Sequence, residues 1–325
     1  MLPPGLGLGQ ARGRIPASDP IGPPMPRAAS TGSANLRATL LILASSFLFS
    51  AGDTIVKLLT RSWPVGQIVF FRSLACLFLL LVLLRRPGEP LLPSGLAHPV
   101  LLGRSAFEIG VTAAFFGALA VMPLGDAVAI MFTSPILLTA LAAPLLGERV
   151  GWRRWTAVLV GFSGVLVVIR PGGGGYGPEA LLPLAAACCI AGRDILVRRL
   201  PAGLENRAVV LGTTLALLAY GAVASLFAWN PVTLGLLLGA SAGAVTVTLA
   251  FLAYVEATRT AEVSFLQPFK YGAIPLSYLW GFLVFGDLPD ATAAFGVALI
   301  VGSGLFIWWR ERRLARAAAE PATAA

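Results

Sequence analysis

Charge is sparse in this sequence: Asp, Glu, Lys and Arg make up 12% of its 325 residues, and His98 is the only histidine. A soluble domain carries about 25% charged residues, so an ordinary water-facing surface is excluded. His98 stands in a short loop before Pro99 and reads as solvent-facing, so no His-based catalytic constellation can be assembled. Cysteine is as scarce: Cys76, Cys188 and Cys189 lie in apolar stretches without metal-ligand spacing and read as small core residues. Several enzyme motifs are missing too. There is no His-Glu-x-x-His and no Gly-x-x-x-x-Gly-Lys-Ser/Thr, which removes zinc peptidase and nucleotide-driven pump chemistry; the one Gly-x-Ser-x-Gly, Gly239-Ala240-Ser241-Ala242-Gly243, lies in the middle of an apolar run and not at the strand-to-helix turn of a hydrolase elbow. No cofactor and no metal are expected.

What the chain has in abundance is long apolar runs, with 57% hydrophobic residues and a mean hydropathy of +0.83. Ten of them, near 38–59, 65–84, 101–121, 125–146, 152–169, 179–199, 208–229, 232–255, 263–285 and 290–309, are long enough to cross roughly 30 Å of hydrocarbon. The expected fold is therefore an all-α integral-membrane bundle of ten transmembrane helices, with the lipid bilayer as its solvent. A pI of 10.3 and a formal charge of +9 point at first sight to nucleic acid. Placement of the basic residues decides against it. Outside the spans they crowd into alternate loops and the two tails, while the opposite side holds only Lys57, Arg61 and Arg170. This is the positive-inside asymmetry, and it predicts a multi-pass inner-membrane protein with both termini in the cytoplasm and no nucleic-acid partner. Trp308 and Trp309 before Arg310 mark the inner interface.

Two segments are near copies: Ala51-Gly52-Asp53-Thr54-Ile55-Val56-Lys57 and Ala191-Gly192-Arg193-Asp194-Ile195-Leu196-Val197-Arg198, with Asp53 and Asp194 141 residues apart. Five spans begin in that interval, an odd number, so the second copy runs upside down relative to the first. Thr112–Leu119 aligns with Thr248–Val255 at an offset of 136, and Phe162-Ser163-Gly164 with Gly302-Ser303-Gly304 at 140. The gain of about one helical turn is expected inside the ninth span, where Gln267-Pro268 and Pro275 also predict a kink. The expected organisation is a disordered cytoplasmic tail at 1–34, with Met25 as an alternative start, a five-helix repeat at 35–170, a second at 171–310 opening on Pro171 and four glycines, and a cytoplasmic tail at 311–325.

These residues resemble a known family, the drug/metabolite transporter superfamily in its EamA-type ten-span form. The likeness covers nearly all of 36–310 and rests on Phe71-Arg72, on Pro123-Leu124-Gly125-Asp126-Ala127 leading to Ser134-Pro135, on Gly147-Glu148-Arg149, on the run from Trp155 to Gly164, and on Gly286-Asp287 as the second copy of Gly147-Glu148. The resemblance implies ten helices packed as a basket and a central cavity lined mainly by the first, third, fourth, sixth, eighth and ninth spans. It also implies a small-molecule metabolite as cargo, of the amino-acid-derivative, S-adenosylmethionine or riboflavin kind.

An ionisable side chain at bilayer depth costs about 2.5–3.5 kcal/mol on insertion scales, so each needs a reason. Asp53 with Lys57, Asp194 with Arg198, and Arg104 with Glu108 are spaced i to i+4 and can meet on one helix face. Static ion pairs and cavity-facing roles both stand for Asp53 and Asp194. Glu108, with Asp53 and Arg104, is a candidate for proton coupling or gating, against the plain alternative of a fixed Arg104–Glu108 pair. Arg72, Arg193 and Lys270 have no partner by spacing, and Arg72 reads as an anchor for its helix. Arg193 and Lys270 fall on spans that the resemblance places at the cavity and are expected to bind cargo, with Asp194, Gln267, Tyr254 and Tyr271 beside them. Two cations there point to an anionic or zwitterionic metabolite. The leading expectation is a secondary transporter rather than an enzyme, working by alternating access; the alternative is an integral-membrane enzyme, or a channel or scaffold without carrier activity.

Overall fold

A computed structural model describes residues 32–84, 93–146, 152–170, 176–197, 199–201, 204–261 and 263–319. The sequence features at 1–31, 147–151, 171–175, Arg198 and 320–325 lie outside the described residues. The described residues form twelve α-helices and no strand: α1 Gly32–Leu59, α2 Val65–Leu84, α3 Pro99–Val121, α4 Leu124–Met131, α5 Ser134–Leu146, α6 Trp152–Ile169, α7 Leu181–Val197, α8 Asn206–Ser225, α9 Leu234–Thr260, α10 Val263–Lys270, α11 Ala273–Phe285 and α12 Ala291–Ala319. Eight segments are long and apolar enough to cross a membrane, counting α4 and the start of α5 together. The shorter apolar α6 supplies a ninth crossing, and α10 with α11 a tenth. The bundle turns apolar side chains outward as well as inward. Phe78 on α2 and Leu159 on α6 are 67% and 64% exposed, as expected where lipid rather than water is the surrounding solvent.

The fourth and ninth crossings are both broken, and at matching places. α4 and α10 have 8 residues each, and α5 and α11 have 13 each. Pro135 and Pro275 lie in the first turns of α5 and α11, where a missing N–H is tolerated, but each ring would clash with the carbonyl four residues earlier, at Met131 and Tyr271. The chain therefore leaves the helix at Phe132-Thr133 and again at Tyr271-Gly272. The break in the ninth crossing was expected from its prolines; the one in the fourth was not. The extra turn is also relocated. Since the broken helices match in length, the gain falls in α9, which has 27 residues against 23 in α3. Apolar helices of small residues align at more than one offset, whereas the prolines pin the register.

The strongest packing joins helices of different repeats: α1 with α9, α3 with α7, α2 with α8 and α6 with α12. Exchanging each crossing with the one five later maps this set onto itself, which is the pseudo-two-fold symmetry of an inverted repeat. α10 and α11 pack on α1, and α4 and α5 on α7. Two lobes result. One consists of α1, α9, α10 and α11, the other of α7, α3, α4 and α5, so each lobe mixes helices from both repeats.

Small residues let these helices approach closely. Ala38, Ala250 and Ala257 are fully buried between α1 and α9, and the Ser45 hydroxyl donates to the Ala250 carbonyl at 2.8 Å. A methyl group at Gly164 of α6 would stand 2.7 Å from the carbonyl oxygen of Gly296 on α12, and one at Gly296 2.7 Å from that of Gly164. His98, expected to face solvent without a role, caps α3 by accepting from the Val100 amide at 3.3 Å.

Candidate functional site

α3 and α7 bring four of the expected residues together. On α7 the Arg193 guanidinium donates to Glu108 of α3 at 3.1 Å and to the neighbouring Asp194 at 3.0 Å. Arg193 is thus no lone cation, and the sequence missed its partner because that partner lies 85 residues away on another helix. Arg104, spaced to pair with Glu108, is 3.9 Å from it and makes its short bond, 2.6 Å, to the Thr213 hydroxyl of α8. The side chains of Arg104, Glu108 and Arg193 retain 17%, 20% and 25% exposure. Two cations and two carboxylates share one partly accessible site, so a ligand anion at Arg193 uses the guanidinium donors that Glu108 and Asp194 leave over or displaces one of those carboxylates.

The other lobe holds a second group. Lys270, the last residue of α10, donates to the Tyr254 hydroxyl of α9 at 3.0 Å, with its ammonium 4.9 Å from the centre of that ring. A lysine at a helix C-terminus also faces the negative end of the helix dipole. Among the described residues it has no carboxylate within ion-pair distance. Gln267 is half-buried one turn earlier on α10. Tyr271 stands in the break itself, its ring 5.6 Å from Phe132 in the other break and its hydroxyl against Gly304 of α12, apart from the Lys270 group.

Asp53 does not meet Lys57. Among the described residues its carboxylate carries neither a hydrogen bond nor an ion pair, and Arg72 on α2 is the cation whose field acts on it. Arg72 stacks 5.1 Å from the Phe116 ring of α3 and runs along Gly243 of α9, an anchor between helices as expected. Lys57 turns to the end of α3, donating to the carbonyls of Met122 at 2.5 Å and Leu119 at 3.4 Å. There it satisfies acceptors that a helix C-terminus leaves open.

That last contact belongs to a cluster at the end of the bundle away from the termini, here called the distal end. Asp126 at the start of α4 is buried and accepts from Tyr278 of α11 at 2.6 Å and also from Tyr176, whose phenol burial and the adjacent carboxylate hold above its usual range. Nearby, Arg170 pairs with Asp290. Lys57–Met122 and Asp126–Tyr278 each cross from one lobe to the other, whereas Arg193–Glu108 and Lys270–Tyr254 stay within a lobe. Sequence reading missed the cluster because Asp126 registered only as part of the Pro123–Ala127 motif that carries the family resemblance. A cavity of about 310 Å³ lies beside it, lined by the ends of α1, α3 and α11, well apart from the Arg193 group.

Residues 36–170 match the EamA-like transporter family. The chain is 33% identical over 198 residues to the riboflavin transporter of Vibrio cholerae serotype O1, covering 60% of this chain and 66% of that protein. It is 32% identical over 278 residues to the pseudopaline exporter CntI of Pseudomonas aeruginosa, covering 81% and 92%. Identity to the S-adenosylmethionine uptake transporter of Rickettsia bellii is 27% over 289 residues, covering 84% and 93%.

Proposed function

The chain belongs to the EamA-like transporter family, and we propose that it is a secondary carrier that moves a small anionic or zwitterionic metabolite across the inner membrane by alternating access. The observation that carries this reading is the pair of broken crossings, which meet at Phe132 and Tyr271 where the lobes adjoin. A continuous helix resists bending, whereas a break leaves carbonyls and amides free for a ligand and gives each lobe a joint. The helix pairing supports the two mixed lobes, rather than the sequential halves 35–170 and 171–310, as the moving units.

In this reading the distal ties, Lys57 on the α3 carbonyls and Tyr278 on Asp126, hold one side shut. The arginine-rich near end faces the cytoplasm, so the closed side faces out. Cargo carboxylate displaces Glu108 from Arg193 and draws on the Lys270 ammonium, while Asp53, which has no hydrogen bond or ion pair among the described residues, and Glu108, once released, are the groups available to carry a coupling proton. The relatives' riboflavin, S-adenosylmethionine and pseudopaline are the first cargoes to try.

The test is a thermal-shift screen of a metabolite library on the purified protein, followed by flux of each hit into proteoliposomes with and without a proton gradient. Saturable, gradient-dependent flux supports the carrier. Hits that bind without any flux point to an enzyme or scaffold.

A further inference from the structure

α6 and α12 pack mainly on each other, so both helices turn much of their surface to lipid. They run antiparallel, and close contacts fix their register. A methyl group at Gly161 would meet the Ser303 side chain, and four residues along each helix Ala157 and Ile307 are buried in one cluster. One further turn sets Arg153, at the start of α6, level with position 311, between Arg310 and Arg312 of α12. Arginines from two helices therefore come together at the near end of this pair.

Their donors are unused. The Arg153 guanidinium lies 5.3 Å from the centre of the Trp152 ring, that of Arg312 5.6 Å from Trp308 and that of Arg313 5.6 Å from Trp309. A guanidinium held by its face leaves the N–H fork in its plane open to an anion. Among the described residues, none of Arg153, Arg310, Arg312 and Arg313 donates a hydrogen bond or has a carboxylate within 4.0 Å. Elsewhere at this end the arginines are engaged: Arg37 pairs with Glu256 at 3.0 Å, and Arg104 bonds Thr213 at 2.6 Å.

Deeper in the bilayer the same helices turn apolar. Trp152, Trp155, Leu159, Phe162 and Leu166 recur along α6 at alternating spacings of three and four, and all are exposed, so they form one stripe. On α12 Phe295, Phe306, Trp309 and Arg313 are exposed along a second. Tryptophan favours the depth of lipid headgroups. Arginine, indole and hydrocarbon thus follow one another in the order in which a phospholipid presents phosphate, glycerol ester and acyl chain.

We propose that the near end of α6 and α12 is a binding site for an anionic phospholipid with two phosphodiesters, of the cardiolipin kind. One phosphate takes the Arg153 fork on α6, and the other takes Arg312 with Arg313 on α12. The acyl chains lie along the two apolar stripes. Arginine matches phosphate oxygens bidentately, and basic pockets between membrane helices accept such headgroups. A lipid with a single phosphate satisfies one helix and leaves the other open, which is why the doubly charged headgroup fits. The site needs neither cargo nor movement, so it stands apart from the carrier reading.

Native mass spectrometry of the full chain in detergent, titrated with cardiolipin, phosphatidylglycerol or phosphatidylcholine, tests it. One cardiolipin is expected to be held at least about tenfold more tightly than either other lipid. Arg153→Gln and Arg312→Gln are each expected to weaken it about fivefold, with the parent's melting temperature in phosphatidylcholine alone. Arg259→Gln removes the same charge from the exposed end of α9 and is expected to change nothing. Equal retention of cardiolipin and phosphatidylglycerol, or an equal loss in Arg259→Gln, would mean only a general attraction to the basic end and overturns the proposal. Displacement of the lipid by inorganic phosphate overturns it too, as does a second copy of the chain whose association, in place of lipid, follows Arg153 and Arg312.

Discussion

Phe132 and Tyr271 occupy equivalent positions in the two repeats, 139 residues apart, and their rings meet at 5.6 Å. Each is the first residue after a helix that stops short of a proline-led helix. The contact places both joints of the bundle against each other. Replacing Tyr271 by Ala removes it and leaves both breaks unsupported. Flux is expected to fall while the protein still folds, and Tyr271→Phe, which keeps the ring, is expected to retain most of it. Transport assays on the two variants, with size-exclusion profiles as the folding control, check this.

Arg193→Gln leaves Glu108 with Arg104 alone, at 3.9 Å. Breaking a buried pair costs about 3–5 kcal/mol, but with 25% and 20% of these side chains exposed the loss should sit at or below the low end. The expected phenotype is a folded protein with at least about a tenfold drop in flux. Parental flux in Arg193→Gln would remove this residue from the site.

Lys270→Gln is expected to lose transport, whereas Tyr254→Phe gives up only the 3.0 Å hydrogen bond and keeps the ring beneath the ammonium. Its flux should fall a few-fold, with the larger effect on KM. Equal losses in both variants would make the pair structural.

Gly296→Ala pushes a methyl group onto the Gly164 carbonyl and onto the side chain and amide of Val168 on the facing helix. Overpacking costs about 1–3 kcal/mol, and this crossing should lie toward the upper part of that range, read as a lower melting temperature. Gly302, with open space around it, is the control. There, alanine should be neutral.

The Arg170 hydrogen bond, with a backbone amide at Ala293, holds the Asp290 carboxyl below its ordinary 3.8. A depressed carboxylate contributes stability above its unfolded value and loses it as pH falls through the folded one. The pair should therefore stay intact from pH 8 to 5, and Asp290→Asn should lower the melting temperature equally across that window. A difference that already fades at pH 5 would show that the pair is not what ties Arg170 down.

Helix number, membrane class and inverted duplication were legible because apolar run length and arginine placement are local signals. The ninth-span break was legible for the same reason, since Pro268 and Pro275 announce it. The break at Phe132-Thr133 was hidden because Pro135 was taken as part of a family motif and not followed back to the carbonyl it displaces. Charges were harder. Spacing of i to i+4 paired Asp53 with Lys57 and Arg104 with Glu108, but helix-helix contacts gave Lys57 to α3, Arg104 first to Thr213 and Glu108 to Arg193. Within one helix the spacing permits a pair; the neighbouring helix decides whether it forms. The distal Asp126–Tyr278 tie joins residues 152 apart, a distance over which sequence carries no spacing rule.

Counterflow tests the carrier most directly. Proteoliposomes loaded with unlabelled cargo are diluted into a trace of the labelled form. A carrier with alternating access is predicted to accumulate label transiently above its equilibrium level and then release it, and Arg193→Gln and Lys270→Gln to abolish the overshoot. Label that rises monotonically to equilibrium, or does not enter at all, would contradict the account.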